Sequence, residues 1–150
     1  MTKLSVIGCI LILGCYSQAQ SVCPKAQGQY GCPSVTSKSK VNIQEAVKDG
    51  VQVYRFSTEN VPMYDLVADG RAYYSKESET YRESRTTECV DGQTIRTTFR
   101  YDILEKGKVK FFFEREELWI FGLVDSLKRR GSWKDSSGSV GITNPQDCRK

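Results

Sequence analysis

The chain of 150 residues contains no histidine. This absence removes the general base of Ser-His and Cys-His nucleophilic sites, together with the commonest metal ligand in proteins. Paired carboxylates, as in glycosidases, are the familiar catalytic arrangement that is left. Two groups of acidic residues supply candidates: Glu77, Glu79 and Glu83, and then Glu114, Glu116 and Glu117. We interpret both groups as solvated surface charge and therefore predict that the protein is not an enzyme and holds no metal or cofactor.

Long hydrophobic runs are also missing after the N-terminus. A membrane-spanning helix needs about 20 predominantly apolar residues, and no such stretch follows. No Asn-x-Ser/Thr acceptor, glycine-rich phosphate loop, nucleophile elbow or calcium loop occurs. The net charge of +4 is too mild to indicate a nucleic-acid partner, which would need a concentrated basic face. We therefore expect neither a membrane span nor nucleic-acid binding.

Residues 1–19 have the pattern of a secretory signal peptide. Lys3 precedes an apolar run, residues 4–14, that is too short to span a bilayer, and residues 17–19 (Ser-Gln-Ala) match a cleavage site. We predict cleavage after Ala19 and a secreted, extracellular protein. A bacterial lipoprotein with its lipid on Cys15 is the competing interpretation. It would leave an odd number of cysteines, which is awkward in an oxidising compartment.

Four cysteines remain after the signal peptide: Cys23, Cys32, Cys89 and Cys148. An even number in a small exported chain predicts two disulfides. Zinc is disfavoured because no two of the four have CxxC spacing and no histidine is present. Of the possible connectivities we favour Cys23 with Cys32 and Cys89 with Cys148, since the second bridge would pin the C-terminal tail to the sheet.

Residues 51–127 carry the fold prediction. Segments such as VQVYRF and TIRTTFRYDI are rich in β-branched and aromatic residues, which pack well on a pleated sheet but lose rotamer freedom in a helix. Turn signals recur at Asp69-Gly70, Asp91-Gly92 and Lys106-Gly107, and connections this short permit only antiparallel pairing. We predict an all-β fold: a single antiparallel meander of about eight short strands that forms a sandwich or a small barrel.

The same patterns divide the chain into four parts. After the signal peptide (1–19) come an irregular N-terminal arm (20–40), the all-β domain (41–135) and a flexible C-terminal tail (136–150). Within the domain we predict charged turns at 114–117 and 128–131, with LWIFGLV (118–124) as a separate strand. We also expect residues 63–68 and 71–75 to face each other across Asp69-Gly70.

A basic run near the C-terminal end is a candidate binding site for an acidic ligand. Its residues are Lys128, Arg129, Arg130 and Lys134. They would suit a sulfated glycan or an acidic surface. Two alternatives stay open, a convertase cleavage site and a charged hairpin end that discourages edge pairing, and we favour the hairpin end.

Function follows only as a ranking from these observations. Our first expectation is a secreted, non-enzymatic, disulfide-stapled binding protein, as an extracellular matrix or surface-associated component that contacts an extracellular polymer, glycan or protein surface. The first alternative is a carrier that encloses a small apolar ligand in a barrel cavity, lined by the aromatic residues of segments 111–113 and 119–121. The second is a secreted effector, toxin or inhibitor that acts on a protein partner.

Overall fold

The structure is a computed structural model that describes residues 22–33, 38–58, 61–123 and 125–150; the predicted signal peptide and Cys15 lie outside these residues. Within these ranges no helix is long and apolar enough to cross a membrane. The described chain forms ten β-strands, which we number in chain order. They are β1 (Gly28–Pro33), β2 (Lys38–Lys48), β3 (Val51–Thr58), β4 (Val61–Val67), β5 (Ala72–Glu77), β6 (Tyr81–Cys89), β7 (Thr94–Glu105), β8 (Lys108–Phe121), β9 (Ser126–Asp135) and β10 (Val140–Arg149).

All ten strands belong to one antiparallel sheet, in the order β4-β3-β2-β1-β10-β9-β8-β7-β6-β5. Strands that follow each other in the chain pair with each other, except that β4 and β5 lie at opposite edges and β1 pairs with β10. The predicted all-β antiparallel fold is confirmed, with ten strands in place of about eight. The sheet is single and open, so it is neither a two-sheet sandwich nor a closed ring.

The sheet curls strongly on itself. Phe56 in β3 and Trp119 in β8 are separated by four strands in the sheet, yet their ring centroids lie 4.8 Å apart. Across the open seam, the guanidinium carbon of Arg85 in β6 lies 4.8 Å from the ring centroid of Tyr64 in β4. The edge strand β4 therefore contacts β6 without pairing with it. The curl gives the sheet a concave inner face and a convex outer face.

The hydrophobic core fills one end of the inner face, which we call the floor. Its largest members are Tyr30, Ile43, Tyr54, Phe56, Leu66, Ile95, Trp119, Phe121 and Leu127. Residues 22–27 cover this end: Glu45 accepts hydrogen bonds from the backbone N–H groups of Ala26 and Gln27, and the Tyr54 hydroxyl donates to the Pro24 carbonyl at 2.7 Å. The arm therefore contributes to the core, with Ala26 and Tyr30 among the core residues.

Two disulfides fasten the first and last described segments to the floor, Cys23–Cys89 and Cys32–Cys148. The prediction of two bridges is confirmed, but the favoured pairing is wrong. Cys32 lies on β1, which pairs with β10, so Cys148 is its neighbour; the segment before β1 carries Cys23 to the end of β6. Closing loops of 66 and 116 residues contributes about 4 to 5 kcal/mol for each bridge taken alone.

Two segments expected to be irregular contain strands. The arm contains β1, and the predicted flexible tail forms β10, which lies in the middle of the sheet between β1 and β9. The polar composition of β10 and its proline concealed the strand. Its register shifts between Thr143 and Gln146, so Pro145 occupies an irregularity where the ladder needs no N–H donor.

Three predicted turns are also wrong. Residues 114–117 lie within β8 and residues 128–131 lie within β9. The segment LWIFGLV is therefore not a separate strand, because its first four residues are the end of β8. Successive charges point to opposite faces and meet partners across the ladder; Glu114, for example, lies 2.8 Å from Lys134. Asp69-Gly70 closes no hairpin, because it carries the chain across the seam from β4 to β5, and β5 pairs with β6.

Candidate ligand-binding site

The inner face of strands β6 to β9 changes in character with distance from the floor. Side chains two residues apart share a face of a strand. Along β8 the inward residues are, in order from the floor, Trp119, Glu117, Arg115, Phe113 and Phe111. Their ladder partners on β7 are Ile95, Thr97, Phe99, Tyr101 and Ile103. The face is therefore apolar at the floor, charged in the middle and aromatic toward the far end.

The charged zone consists of Arg85, Arg115 and Arg129 around Glu117, and we call it the arginine layer. The Glu117 side chain is 2% exposed, and its Oε1 lies 2.5 Å from Arg129 Nη2 and 3.2 Å from Arg115 Nε. The Arg129 guanidinium also lies 5.0 Å from the ring centroid of Trp119. Arginine stays protonated throughout the pH range of folded proteins. The layer therefore holds three positive charges against one negative charge.

Aromatic rings position the arginines of this layer. The guanidinium of Arg85 lies 4.8 Å from the ring centroid of Tyr64 and 5.1 Å from that of Phe99. The guanidinium of Arg115 lies 4.8 Å from the same Phe99 centroid. Each such contact contributes about 0.5–2 kcal/mol. The rings orient these cations on either side of one phenyl group without cancelling their charge.

Three hydrogen-bond donors in this zone are buried and have no acceptor among the described residues: Arg85 Nε, Arg115 Nε and Trp119 Nε1. Arg115 Nε is close to Glu117, but the two atoms are not aligned for a hydrogen bond, so their contact is ionic only. Leaving a buried donor unpaired costs about 1–3 kcal/mol, and native structures contain few such groups. Three on one face give this zone donors that are available to a bound acceptor.

Two further polar groups, Tyr64 and Glu83, lie near the layer. Burial raises the pKa of Tyr64, and the charge of Glu117 raises it further against the opposing arginines, so its phenol is neutral at physiological pH. Glu83, two residues from Arg85 on β6, accepts hydrogen bonds from Ser75 Oγ at 2.7 Å and from the Tyr81 hydroxyl at 3.2 Å. Glu83 forms no ion pair with the layer, so among the described residues Glu117 is the only carboxylate paired with its arginines.

Beyond the layer, Tyr101, Phe113 and Trp133 form a half-buried surface that we call the aromatic trough. The ring centroids of Tyr101 and Phe113 are 6.2 Å apart, and those of Phe113 and Trp133 are 5.8 Å apart. Gly141 makes room for the indole, because a Cβ atom there would lie 2.5 Å from the Trp133 ring. Ile103 and Phe111, 48% and 38% exposed, extend the apolar surface.

A cleft of about 160 Å³ at the open seam gives a second approach to the arginine layer. It is lined by Asp65, Val67, Tyr73, Tyr74, Ser75, Arg85 and Thr87. Arg85 is therefore shared between the inner face and the seam. The volume is close to that of an engineered apolar cavity that holds benzene, roughly 150 Å³.

The basic residues predicted as an acidic-ligand site do not lie together. Lys128 and Arg130 are on the outer face, where Arg130 lies 3.2 Å from Asp147, whereas Arg129 points inward to the arginine layer. Lys134 is also on the outer face and is paired with an acidic residue of β8. Binding of an acidic ligand by this set stays a prediction, and the structure gives Arg129 a different environment from the others.

The two groups of carboxylates considered for catalysis are divided in the same way. Glu117 is buried on the inner face, while Glu114 and Glu116 pair with residues on the outer side of β9. Glu79 is exposed at the turn between β5 and β6. Nowhere in the part of the chain that the structure describes do three or more His, Cys, Asp or Glu residues come close enough to hold a metal ion.

Sequence reasoning did not identify Arg85 or Arg115 as site residues. Both lie in strands where charged and uncharged residues alternate irregularly, so composition gave no sign of their direction. A signal was present in Ile95, Thr97 and Phe99, whose alternation marks the buried face of β7. Assigning arginines to that face required the ladder register, which pairs Phe99 with Arg85 on one side and Arg115 on the other.

Comparison of the chain with protein-family models, curated proteins and solved structures found no match. The curled sheet and the geometry of its inner face are therefore the basis for a functional conclusion.

Proposed function

We propose that the chain is a secreted, non-enzymatic binding protein that carries a small, largely apolar ligand on the inner face of its curled sheet. The observation that supports this most is the aromatic trough, which leads directly into a small set of polar groups. Sites for small molecules are usually concave and apolar, with few polar groups that fix orientation. The proposal corresponds to the carrier that the sequence offered as an alternative.

The residues that would contact the ligand differ from those expected from the sequence, which were the aromatic residues of segments 111–113 and 119–121. Trp119 and Phe121 are 4% and 5% exposed and belong to the packed floor. Phe112 faces outward, where the guanidinium of Arg100 lies 4.4 Å from its ring centroid. Of the phenylalanine triplet, Phe111 and Phe113 face inward. A ligand would therefore rest above the floor, against Phe113 and its neighbours in the trough.

The floor gives this site a rigid base. Both disulfides close there, and the covering arm is held by Glu45 and Tyr54. A preformed site binds more tightly because less conformational freedom is lost on binding. Disulfides of this kind persist in oxidising compartments, which is consistent with the proposed secretion.

Uptake of the neutral fluorescent probe N-phenyl-1-naphthylamine tests the proposal. We expect saturable binding with one probe per chain. Phe113→Ala should weaken it about tenfold, because a ring that contacts the probe is lost. Phe112→Ala, its neighbour on the opposite face, is the matched control and should leave the affinity unchanged.

Two results would contradict the carrier function. One is the absence of saturable uptake by the folded wild-type protein. The other is equal weakening by Phe113→Ala and Phe112→Ala, which would place the probe elsewhere. The matrix component and the effector remain predictions from the sequence. Fractionation of the native protein separates the matrix component from the carrier, since a matrix component resists extraction without denaturant or demineralisation, whereas a carrier stays in the soluble fluid.

A further inference from the structure

The arginine layer combines three guanidinium groups, one paired carboxylate and two buried Nε donors without an acceptor among the described residues. We infer that the ligand is an amphipathic organic acid whose anionic head group binds between Arg85 and Arg115, while its apolar body lies along the aromatic trough. This inference rests on the proposed carrier function and names the class of ligand. It is carried by the charge balance and the unpaired donors of the layer, which a purely apolar ligand would leave unchanged.

Arg85 is the arginine of the layer that has no carboxylate partner among the described residues. Among the described residues it forms no ion pair with a carboxylate, and its Nη1 donates only to the backbone oxygen of Asp65, at 3.5 Å. The Asp65 carboxylate is itself held on the outer side by Arg55, at 2.8 Å. A guanidinium flanked by two aromatic rings, with a buried Nε that has no acceptor among the described residues, would be stabilised by a nearby anion.

Arg115 provides the second half of the head-group site. It lies opposite Arg85 across Phe99, and each has an Nε donor without an aligned acceptor. Guanidinium groups bind carboxylates, sulfates and phosphates through paired, charge-assisted hydrogen bonds. The Tyr64 phenol, kept neutral by its raised pKa, does not repel an anion beside Arg85. Arg85, Arg115, Tyr64 and Phe99 therefore form a cationic pocket. Its common wall is the Phe99 ring, which contacts both arginines.

The trough sets the shape of the rest of the ligand. Phe113 and Phe111 follow Arg115 on the inward positions of β8, so the apolar surface extends roughly 13 Å from the arginine. Carboxylates also lie on this side of the sheet. Glu117 is engaged by Arg115 and Arg129, Glu83 is hydrogen-bonded farther along β6, and Asp135, opposite Phe113, accepts hydrogen bonds from Ser137 and Ser139. A single acidic head with an alkyl or aromatic body matches this arrangement.

Competition between decanoate and the neutral alcohol 1-decanol for the N-phenyl-1-naphthylamine site tests the inference. Wild-type protein should bind decanoate at least tenfold more tightly than 1-decanol. Arg85→Gln should remove that preference and leave 1-decanol binding unchanged, because only the charged contact is lost. Arg82→Gln, three residues away on the outer face, is the matched control and should preserve the preference.

The outcomes separate the two proposals. If decanoate and 1-decanol compete equally, or if Arg85→Gln weakens both by the same factor, the acid-specific site is wrong and the carrier function stands. If neither compound nor the probe binds the folded wild-type protein, the carrier function itself is wrong. Arg85→Lys keeps the charge without the planar fork of donors and should retain part of the preference. Replacing decanoate with decyl phosphate shows whether the head group must be a carboxylate.

Discussion

The two faces of the sheet differ in how completely their charged side chains are paired. The outer face carries a chain of ion pairs, the outer network, that consists of Arg82, Asp102, Arg100, Glu114 and Lys134. Asp102, 5% exposed, accepts from Arg82 Nη2 at 3.1 Å and from Arg100 Nε at 2.8 Å. Arg100 then contacts Glu114 at 3.2 Å, and Glu114 contacts Lys134 at 2.8 Å. None of these side chains has a buried polar atom without a partner.

The arginine layer also consists of arginine and carboxylate side chains, but its charges are not balanced and its donors are not all paired. It has three guanidiniums for one carboxylate, and two of them have a buried Nε without an acceptor. Both regions lie on the long strands β6 to β9, so the difference does not come from the type of structure. A satisfied network stabilises the fold, whereas an unsatisfied cationic layer beside an apolar trough is suited to binding. This contrast is the reason for assigning function to the inner face.

The largest difference between the faces should appear when each buried carboxylate is replaced by its amide. Glu117→Gln should lower the free energy of unfolding by about 3–5 kcal/mol, because it leaves the layer with three cations and no anion. Asp102→Asn should cost less, about 1–3 kcal/mol, since Arg100 keeps Glu114 as a partner. Urea denaturation measures both values.

Ligand addition sharpens this test. Decanoate should stabilise Glu117→Gln more than Asp102→Asn, because its head group supplies the missing negative charge only in the first variant. Asp102→Asn should gain no more than the wild type gains from binding the same ligand. Equal losses in the two variants, together with no differential effect of decanoate, would contradict the distinction between the faces.

Two adjacent arginines on β9 give a smaller and closely matched comparison. Arg129 points inward to Glu117 and Trp119, and Arg129→Gln should cost about 1.5–3 kcal/mol because a buried charge-assisted hydrogen bond is lost. Arg130 points outward to Asp147, and Arg130→Gln should cost no more than about 1 kcal/mol because that pair is exposed. Thermal unfolding of the two variants measures the difference. A larger loss in Arg130→Gln would contradict the assignment of the two faces.

Dependence of stability on pH reports on the buried tyrosines of the floor and on Tyr64 beside the arginine layer, and it should be the smallest effect near neutrality. The chain has no histidine, so stability should be nearly constant from about pH 6 to 9. Burial raises the pKa of Tyr30 and Tyr54 above their ordinary value of 10.0. The folded state therefore favours the neutral phenols. Their stabilisation is complete below about pH 10 and is lost as the pH rises toward their folded pKa values.

Tyr54→Phe tests the origin of this alkaline transition. It removes a buried phenol that donates to Pro24, so the variant should lose less stability between pH 9 and 12 than the wild type does. Tyr73→Phe is the control on the surface, where the pKa of Tyr73 is raised chiefly by its hydrogen bond to Asp69. An alkaline transition unchanged in Tyr54→Phe would show that the floor tyrosines do not control it.

Much of the fold was predictable because strand composition and short turns are local properties. The turn Lys106-Gly107 illustrates this, since both of its residues have positive φ as a two-residue hairpin requires. The strand β10 was not predictable from its own residues. It is stabilised by pairing with β9 and β1 and by the Cys32–Cys148 bridge, which are contacts distant in the chain.

The candidate site was less accessible to sequence reasoning for a related reason. Arg129 and Arg130 are adjacent and identical, yet one is inside and the other outside. Because the side-chain period of a strand is two, a shift of one residue in register would exchange them. The excess of cations on the inner face also arises from three different strands and becomes visible only after the sheet has curled.

Binding of an acid at the arginine layer is tested most directly by NMR of the arginine Nε–H groups during titration with decanoate. The resonances of Arg85 and Arg115 should shift progressively and saturate together, because their unpaired donors gain an acceptor. Those of Arg82 and Arg100, which already donate to Asp102, should stay in place. Shifts confined to Arg82 and Arg100, or no saturable shift at Arg85 and Arg115, would contradict an anion site on the inner face.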